Sequence, residues 1–282
     1  GLDFMGPLDG GTPPTEFYNV EFSYDSGPPE IKTLISTGKV VGGGYFNKGT
    51  RKIEVKLVKG IAPTPGLTYD KAIFTDHDMQ FNGGISISGN IHSNGNLNIS
   101  STGVFNLENG EATASGGTND YPGGDGDVPP EEFPHIDWPY FLDLAEREVN
   151  GGFYYDTDPD ILGDTTVIFN DPKYLTGIHY VDGNVIVKTD LILENATIVA
   201  YGTIEVKGNG SINLVNDVTA HPLALVAKGN ITNGGSIHGE GIIQTEGHFE
   251  NNGVVDINEG AIYADTGVFN GGGGVAFNVA YS

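Results

Sequence analysis

Apolar residues recur around glycine at a fixed spacing along much of the chain. The pattern is an apolar residue, three further residues, a glycine, one more residue and a second apolar residue. Its copies are Ile85–Gly89–Ile91, Ile198–Gly202–Ile204, Leu225–Gly229–Ile231, Ile243–Gly247–Phe249 and Tyr263–Gly267–Phe269, with a weaker copy at Gly183–Val185. From Gly183 onward, successive glycines are 19, 27, 18 and 20 residues apart. A period of this length is typical of solenoids, in which short strands form coils that stack on one another.

We therefore predict an all-β protein with a right-handed parallel β-helix over residues 70–282. An antiparallel sandwich also has regular short strands, but the matched glycines favour the β-helix. Asn90, Asn184 and Asn230 directly follow repeat glycines, and we expect their amides to stack in a hydrogen-bonded ladder. The residues just before the glycines are mixed in type, which indicates a solvated surface: Ser88, Asp182, Tyr201, Lys228, Glu246 and Thr266.

The first 69 residues show a different pattern, in which apolar and polar positions alternate. Such alternation predicts strands with one buried face. We predict that residues 1–69 form an antiparallel β cap over one end of the β-helix, because an open end would expose unpaired strand edges. The chain starts at Gly1 rather than at a methionine, so we expect a processed or a truncated form. The alternating apolar positions are Val20, Phe22 and Tyr24, and then Ile53, Val55 and Leu57.

The repeat is interrupted between Leu107 and Ile178, which predicts an insertion over residues 108–177. This insertion contains one convincing helix, for which Asp137 is the expected N-cap and Pro139 suits the first turn. The helix should present one apolar stripe and end at Asn150. The stripe consists of Phe141, Leu144, Ala145 and Val149. We expect this partly helical insertion to cover the wall of the β-helix.

Aromatic residues are concentrated in the insertion, and two interpretations of them stay open. Each of several rings combines an apolar body with a polar group, which suits a partly exposed surface. The rings either fasten the insertion to the β-helix or form a platform on which sugar rings stack. The candidate binding residues are Trp138, Tyr140, Tyr154, Tyr155, Tyr121 and Phe153.

Negative charge changes the range of expected ligands. The formal net charge is −24, and residues 111–171 carry 15 acidic residues and one basic residue. Such a field disfavours nucleic acid, anionic lipid and polyanionic sugars, and it permits neutral ligands and divalent cations. Asp156, Asp158 and Asp160 alternate like the start of an EF-hand loop, but Ile161 and Val167 replace the glycine and glutamate of that motif. These three aspartates therefore form a candidate Ca²⁺ site, and no other cofactor is expected.

Catalytic motifs are not apparent, so we expect no enzymatic activity. No cysteine is present. The seven histidines show no HExxH pattern, and neither Walker nor Rossmann patterns occur in the proper context. A β-helix glycosidase would need paired carboxylates on adjacent coils, and folding can bring distant acids together. A polysaccharide-cleaving enzyme therefore remains an alternative.

Several segments resemble a known group of bacterial surface proteins. The segments "YDKAIFTDHDMQFNGGISISGNIHSNGNL" and "FPHIDWPYFLDLAE" look like type IV pilus-associated, PilX-like proteins, and within that group the chain is most similar to the C-terminal region of the tāpirins. This resemblance implies a β-helix covered by a long loop, and non-catalytic attachment to cellulose through an aromatic surface.

We therefore expect an extracellular, cell-surface adhesin that binds cellulose or a related insoluble plant polysaccharide. The first alternative is a pilus-associated structural or assembly protein with a protein partner. We expect neither a nucleic-acid partner nor a membrane span in this chain, since no apolar run approaches the length of a span.

Overall fold

The computed structural model describes residues 16–25, 31–40, 50–58, 69–100, 104–155, 165–271 and 276–281. The chain divides into two compact units, residues 1–60 and 61–282. The first unit contains β1 (Glu16–Asp25), β2 (Ile31–Val40) and β3 (Thr50–Val58), which form one antiparallel sheet in that order. The alternating patterns around Val20 and Val55 thus correspond to strands. The role of this sheet as a cap stays a prediction.

The second unit is a parallel β-helix, as the glycine repeat predicted. Most of its strands are short because each crosses only one side of a coil, and the longest strands, of 9–11 residues, cross two. The remaining elements are β4 (Ile73–Thr75), β5 (Met79–Phe81), β6 (Ile85–Ser88), β7 (Ile91–Ser93), β8 (Leu97–Ile99), β9 (Phe105–Glu108), β10 (Ala112–Ala114), α1 (Trp138–Glu146), β11 (Phe153–Tyr155), β12 (Thr165–Phe169), β13 (Lys173–Val181), β14 (Gly183–Val187), β15 (Asp190–Ala200), β16 (Ile204–Val206), β17 (Ser211–Val215), β18 (Leu223–Ala227), β19 (Ile231–Asn233), β20 (Ser236–Thr245), β21 (His248–Asn251), β22 (Val254–Ala264), β23 (Gly267–Asn270) and β24 (Phe277–Ala280).

Three faces run along the β-helix. Face A contains β11, the second halves of β13 and β15, β18, the second halves of β20 and β22, and then β4, β7 and β10. Face B contains β12, β14, β16, β19, β21, β23, β5 and β8. Face C contains the first halves of β13 and β15, β17, the first halves of β20 and β22, and then β24, β6 and β9. One core of aliphatic and phenylalanine side chains fills the space between the faces.

The coils do not stack in the order of the sequence. Numbering them along the axis by their face B strands, coil 1 contains β12 and coil 5 contains β21, but coil 6 combines β23 and β24 with β4. Coils 7 and 8 then follow with β5 and β8. The first strands of this unit therefore stack on its last strands, and coil 8 lies at the opposite end from coil 1.

The coil order explains why the chain leaves the coils between residues 129 and 152. The chain must travel from coil 8 back to coil 1, a distance of about 34 Å at roughly 4.8 Å per strand. It does so along the outside of face A, where α1 lies, and β11 then pairs with β13 in coil 1. The predicted insertion of residues 108–177 is thereby corrected, because β10, β12 and most of β13 are rungs of the β-helix.

Helix α1 begins as its sequence predicted. The Asp137 carboxylate accepts a hydrogen bond from the Tyr140 backbone N–H, and Phe141, Leu144 and Ala145 are buried against face A. The helix ends at Glu146 rather than at Asn150, because Glu148 adopts a left-handed conformation and a short 3-10 turn, Val149–Gly151, follows.

The glycine repeat is partly out of register with the coils. Gly183 is the first residue of β14, and Gly202, Gly229 and Gly247 precede other strands of face B, whereas Gly89 precedes β7 on face A. In the copy around Gly267, Val268 rather than Phe269 pairs with the inward-facing Phe249. A pattern of spacing alone does not distinguish the three corners of a coil.

The structure contains an amide ladder, but at other asparagines than those predicted. Asn90, Asn184 and Asn230 do not bond to one another; their carbonyl oxygens accept backbone N–H groups of Glu111, Thr203 and His248 in neighbouring coils, at 2.9–3.1 Å. The amide ladder lies at the corner between faces B and C. There Asn233 donates to Asn251, and Asn251 donates to Asn270, each at 2.8 Å.

Candidate functional site

Polar and aromatic side chains collect along the corner between faces A and B, which we name the A/B edge. The turns of this edge are at residue 182, residue 201, residue 228, residue 246, residues 265–266, residues 76–78 and residues 94–96, in order from coil 1 to coil 8. Five of the six residues interpreted as a solvated surface lie here. Ser88 does not, because it precedes face A.

Trp138 lies beside the middle of the A/B edge. Its indole Nε1 donates a hydrogen bond of 2.8 Å to Glu246, and its ring meets Tyr201 edge-on with 5.7 Å between centroids. Lys228 lies 3.9 Å from the centroid of the Tyr201 ring and donates to the Tyr201 hydroxyl at 2.6 Å. Trp138 and Tyr201 are both half-buried. Each ring is therefore held in place while part of it remains accessible to a ligand.

The aromatic cluster continues towards coil 1. Tyr154 meets the buried Tyr180 edge-on at 5.8 Å. Burial raises the pKa of Tyr180 well above its ordinary value, and the charges of Asp182, Tyr201 and Tyr154 act in the same direction. We name Trp138, Tyr201, Tyr180 and Tyr154 the aromatic row. Sequence reasoning missed Tyr180 and Tyr201 because they belong to separate coils rather than to the aromatic-rich segment.

The other predicted binding rings lie elsewhere. Tyr140 is a half-buried residue of α1 whose ring meets Phe141, and burial raises its pKa, as do Asp137 and Asp143. Tyr155 points away from Tyr154 into the end of the core, where its hydroxyl contacts His179 at 3.2 Å and burial raises its pKa. Phe153 packs on Tyr155 at 4.7 Å and is 48% exposed.

Tyr121 is far from this group. Its ring packs against Phe105 of coil 8 with 5.5 Å between centroids, at the opposite end of the β-helix from Tyr154 and Tyr155. The structure therefore does not bring the six predicted rings together. The predicted calcium ligands Asp156, Asp158 and Asp160 lie outside the described residues.

A cavity of about 410 Å³ opens on the A/B edge next to coils 6 to 8, and we name it the edge pocket. Carboxylates, amides, one imidazole and one phenyl ring surround it. Asn94 donates to one oxygen of Asp76 at 2.6 Å, and Asp78 accepts the backbone and side-chain N–H groups of Asn96 at 2.7 and 3.1 Å. The lining residues are Asp76, His77, Asp78, Gln80, Asn94, Gly95, Asn98, Thr266 and Phe269.

Three side chains of this region also have the composition of a metal site. Ligand atoms of Asp76, His77 and Asp265 lie within 4.8 Å of one another. Partial burial raises the pKa of Asp265, and the neighbouring charge of Asp76 adds to this effect, while His77 and His135 oppose it. All three side chains are exposed or half-buried, and no other feature of the described residues points to a bound ion.

Among the described residues, no helix is long and apolar enough to cross a membrane.

Comparisons with known proteins give two structural similarities and no sequence match. No family model and no curated protein matches the sequence. Among solved structures, the chain is similar to a Shewanella frigidimarina ice-binding protein DUF3494 domain, with a TM-score of 0.46 and 15% identity over 80% of this chain and 99% of that one. It is also similar to the competence-associated pilin ComZ from Thermus thermophilus, with a TM-score of 0.36 and 14% identity over 100% of this chain and 80% of that one.

Proposed function

We propose that the protein attaches cells to cellulose, or to a related insoluble neutral plant polysaccharide, without cleaving it. The observation that carries this proposal is the aromatic row on the A/B edge. There, the partly accessible rings of Trp138 and Tyr201 lie beside Glu246 and Lys228. Rings of this kind pack on the apolar C–H faces of sugars, and charged or amide groups bind sugar hydroxyls.

The β-helix supports attachment because it holds these groups on a rigid frame. The turns of the A/B edge are joined coil to coil by backbone hydrogen bonds, such as the 2.7 Å bond from Gly229 to Gly202. Ligand binding therefore requires little ordering of the protein, which lowers its entropic cost. The net charge of −24 supports a neutral glycan over an anionic one. Attachment of this kind implies an extracellular location.

A pull-down on crystalline cellulose tests this proposal. We expect the parent chain to be retained, and we expect Tyr201→Ala and Trp138→Ala each to lose about tenfold in affinity, the value of one stacked ring. Tyr174→Ala is the matched control, because this ring is 58% exposed but lies on face C. Circular dichroism of each variant verifies that it is folded. Unchanged retention of folded Tyr201→Ala and Trp138→Ala would contradict the proposal.

A protein partner is the second candidate, favoured by exposed apolar side chains at one end. Phe153, Ile168, Tyr174, Ile192 and Val215 are all more than a third exposed, and all belong to coils 1 to 3. Tyr174 and Ile192 are paired across neighbouring strands on face C. Apolar side chains concentrated in this way mark protein interaction sites. In a pilus-associated assembly role, this end of the β-helix would contact the protein partner. Retention of the parent chain on cellulose that Tyr174→Ala leaves unchanged favours attachment over a protein partner, because the exposed apolar end is then not needed for it.

A further inference from the structure

Three outward side chains form a column on face B beside the edge pocket. Phe269 of β23 is paired with Gln80 of β5, and Gln80 is paired with Asn98 of β8. Neighbouring strands lie roughly 4.8 Å apart, so a ring and two amides follow one another at that interval. The Phe269 ring is fixed by an edge-on contact with His248 at 5.7 Å and lies over the backbone of Gly267.

The two amides of this column are available to a ligand. Gln80 is exposed and Asn98 is half-buried, and neither side chain has a hydrogen-bond partner among the described residues. Each amide carries both donors and an acceptor. Sugar hydroxyls also donate and accept, so amides match them better than a purely cationic or purely anionic side chain would.

Two carboxylates, of Asp76 and Asp78, also line the pocket, and an asparagine holds each of them in place. Asn94 holds one oxygen of Asp76 at 2.6 Å, and Asn96 holds one oxygen of Asp78. Asn94 is itself anchored, because its side chain accepts the Glu131 backbone N–H at 2.8 Å and donates to the Glu131 carbonyl at 2.6 Å. Fixed carboxylates accept hydrogen bonds from hydroxyl groups, and they repel anionic sugars.

We propose that the edge pocket is a subsite for one neutral sugar residue of a polysaccharide chain, with Phe269 stacking on the sugar and Gln80, Asn98 and Asp78 binding its hydroxyls. The cavity of about 410 Å³ falls within the range of small-ligand sites. The inference rests on the proposed function and extends it, because the edge pocket and the aromatic row lie on the same A/B edge. A glycan chain running parallel to the axis would meet both.

Isothermal titration of the full chain with cellohexaose tests the subsite, alongside the pull-down on crystalline cellulose. We expect Phe269→Ala, and the double variant of Gln80→Ala with Asn98→Ala, each to weaken binding about tenfold. All three side chains point outward, so these variants should fold. Tyr174→Ala should bind as the parent does. Polygalacturonate, an anionic polymer, should give no binding, and reducing-sugar release should stay at the background level.

The outcomes separate the subsite from the proposed function. Equal cellohexaose affinity of the parent and both pocket variants, with cellulose retention intact, overturns the subsite and leaves attachment standing. Binding of cellohexaose that depends on the pocket, without retention on cellulose, supports the subsite and overturns attachment. If the parent chain neither binds cellohexaose nor is retained on cellulose, both the subsite and the attachment function are overturned. Polygalacturonate binding overturns the assignment to a neutral sugar. Release of reducing sugar supports sugar binding but overturns a non-catalytic function, with Asp76 and Asp265 as the carboxylates to examine.

Discussion

At the scale of single residues, a few buried polar side chains connect segments that are distant in sequence. Gln244 is fully buried on face A; its carbonyl oxygen accepts from the Tyr69 hydroxyl at 2.6 Å, and its amide donates to the Pro134 carbonyl at 2.6 Å. Nearby, the Tyr263 hydroxyl accepts the backbone N–H groups of Asp70 and Lys71 at 2.9 and 3.0 Å. Together these bonds fasten both the start of the β-helix and the segment before α1 to the coils.

We expect Gln244→Ala to lower the free energy of unfolding by about 2–6 kcal/mol. The substitution leaves the Tyr69 hydroxyl and the Pro134 carbonyl without a partner, and each buried unsatisfied group costs about 1–3 kcal/mol. Urea denaturation followed by circular dichroism measures the change. Asn213→Ala, an exposed amide on face C, should stay within about 0.5 kcal/mol of the parent. A similar small effect for Gln244→Ala would show that water replaces both bonds.

His179 predicts a dependence of stability on pH. Burial lowers the pKa of His179 below its ordinary value, although the hydrogen bond to the Thr176 carbonyl acts the other way. In the unfolded chain a histidine titrates at about pH 6.5. As the pH falls below this value, the unfolded state binds a proton that the folded state does not. Stability should therefore decrease by up to about 1.4 kcal/mol per pH unit until the folded-state pKa is reached.

Thermal denaturation between pH 7.5 and 5 measures this effect. His179→Gln removes the titrating group and should flatten the decrease, whereas His238→Gln, a half-buried imidazole on face C, should leave it unchanged. If His179→Gln shows the same decrease as the parent, other groups are responsible.

At the scale of elements, the amide ladder joins the turns between faces B and C. Asn251 is fully buried; it accepts from Asn233 and from the backbone of Gly253, and it donates to Asn270. Its side chain thus links coils 4, 5 and 6. Stacked amides of this kind satisfy backbone groups that a tight turn would otherwise leave unpaired.

Asn251→Ala should destabilise the protein by about 2–4 kcal/mol, because it interrupts the ladder at its centre and leaves buried partners on both sides. Asn230→Ala is the matched control, since it removes only one bond, to the half-buried His248 N–H. We expect it to cost about 1 kcal/mol. Urea denaturation compares the two. Equal losses would mean that the ladder contributes no more than a single turn contact.

The elements show which features the sequence could predict. The start of α1 was predictable because it depends on residues close together in sequence: Asp137 caps the helix, Pro139 lies in its first turn and Phe141 belongs to its apolar stripe. The ladder was assigned to the wrong asparagines, although Asn233, Asn251 and Asn270 recur at the same period as the glycines. Both sets follow the period of the coil, and only the inward direction of the side chain distinguishes them. The aromatic row was half predicted, because Tyr180 and Tyr201 join it only after the coils stack.

At the scale of the whole molecule, the order of the coils is the feature that the sequence did not reveal. Local periodicity predicts that coils exist, but it does not indicate which coil stacks on which other coil. The pairing of β24 with β6 joins residues 192 positions apart, and the pairing of β22 with β4 joins residues 189 positions apart. The crossing of α1 along face A follows from this order.

An engineered disulfide tests the coil order directly, because the chain contains no cysteine. Asn278 and Ser86 are register partners on face C, and neighbouring strands lie within the distance that a disulfide spans. Ser86→Cys combined with Asn278→Cys should form a disulfide on mild oxidation, seen as a faster band on non-reducing gels. Ser86→Cys with Asn213→Cys should not, since about 19 Å separates these coils. If instead only the second pair formed a disulfide, the stacking of the first strands of this unit on its last strands would be excluded.

Coil 6 also sets when the molecule can be completed during synthesis. Residues 73–114 leave the ribosome before the strands on which they stack, and about 150 further residues must be translated first. At ordinary elongation rates this is a delay of roughly 10–30 s, during which the early strands lack their partner. Assembly therefore finishes in the interior of the β-helix and not at one of its ends. A ribosome that stalls before residue 264 would release a nascent chain whose first coils lack the strands on which they stack.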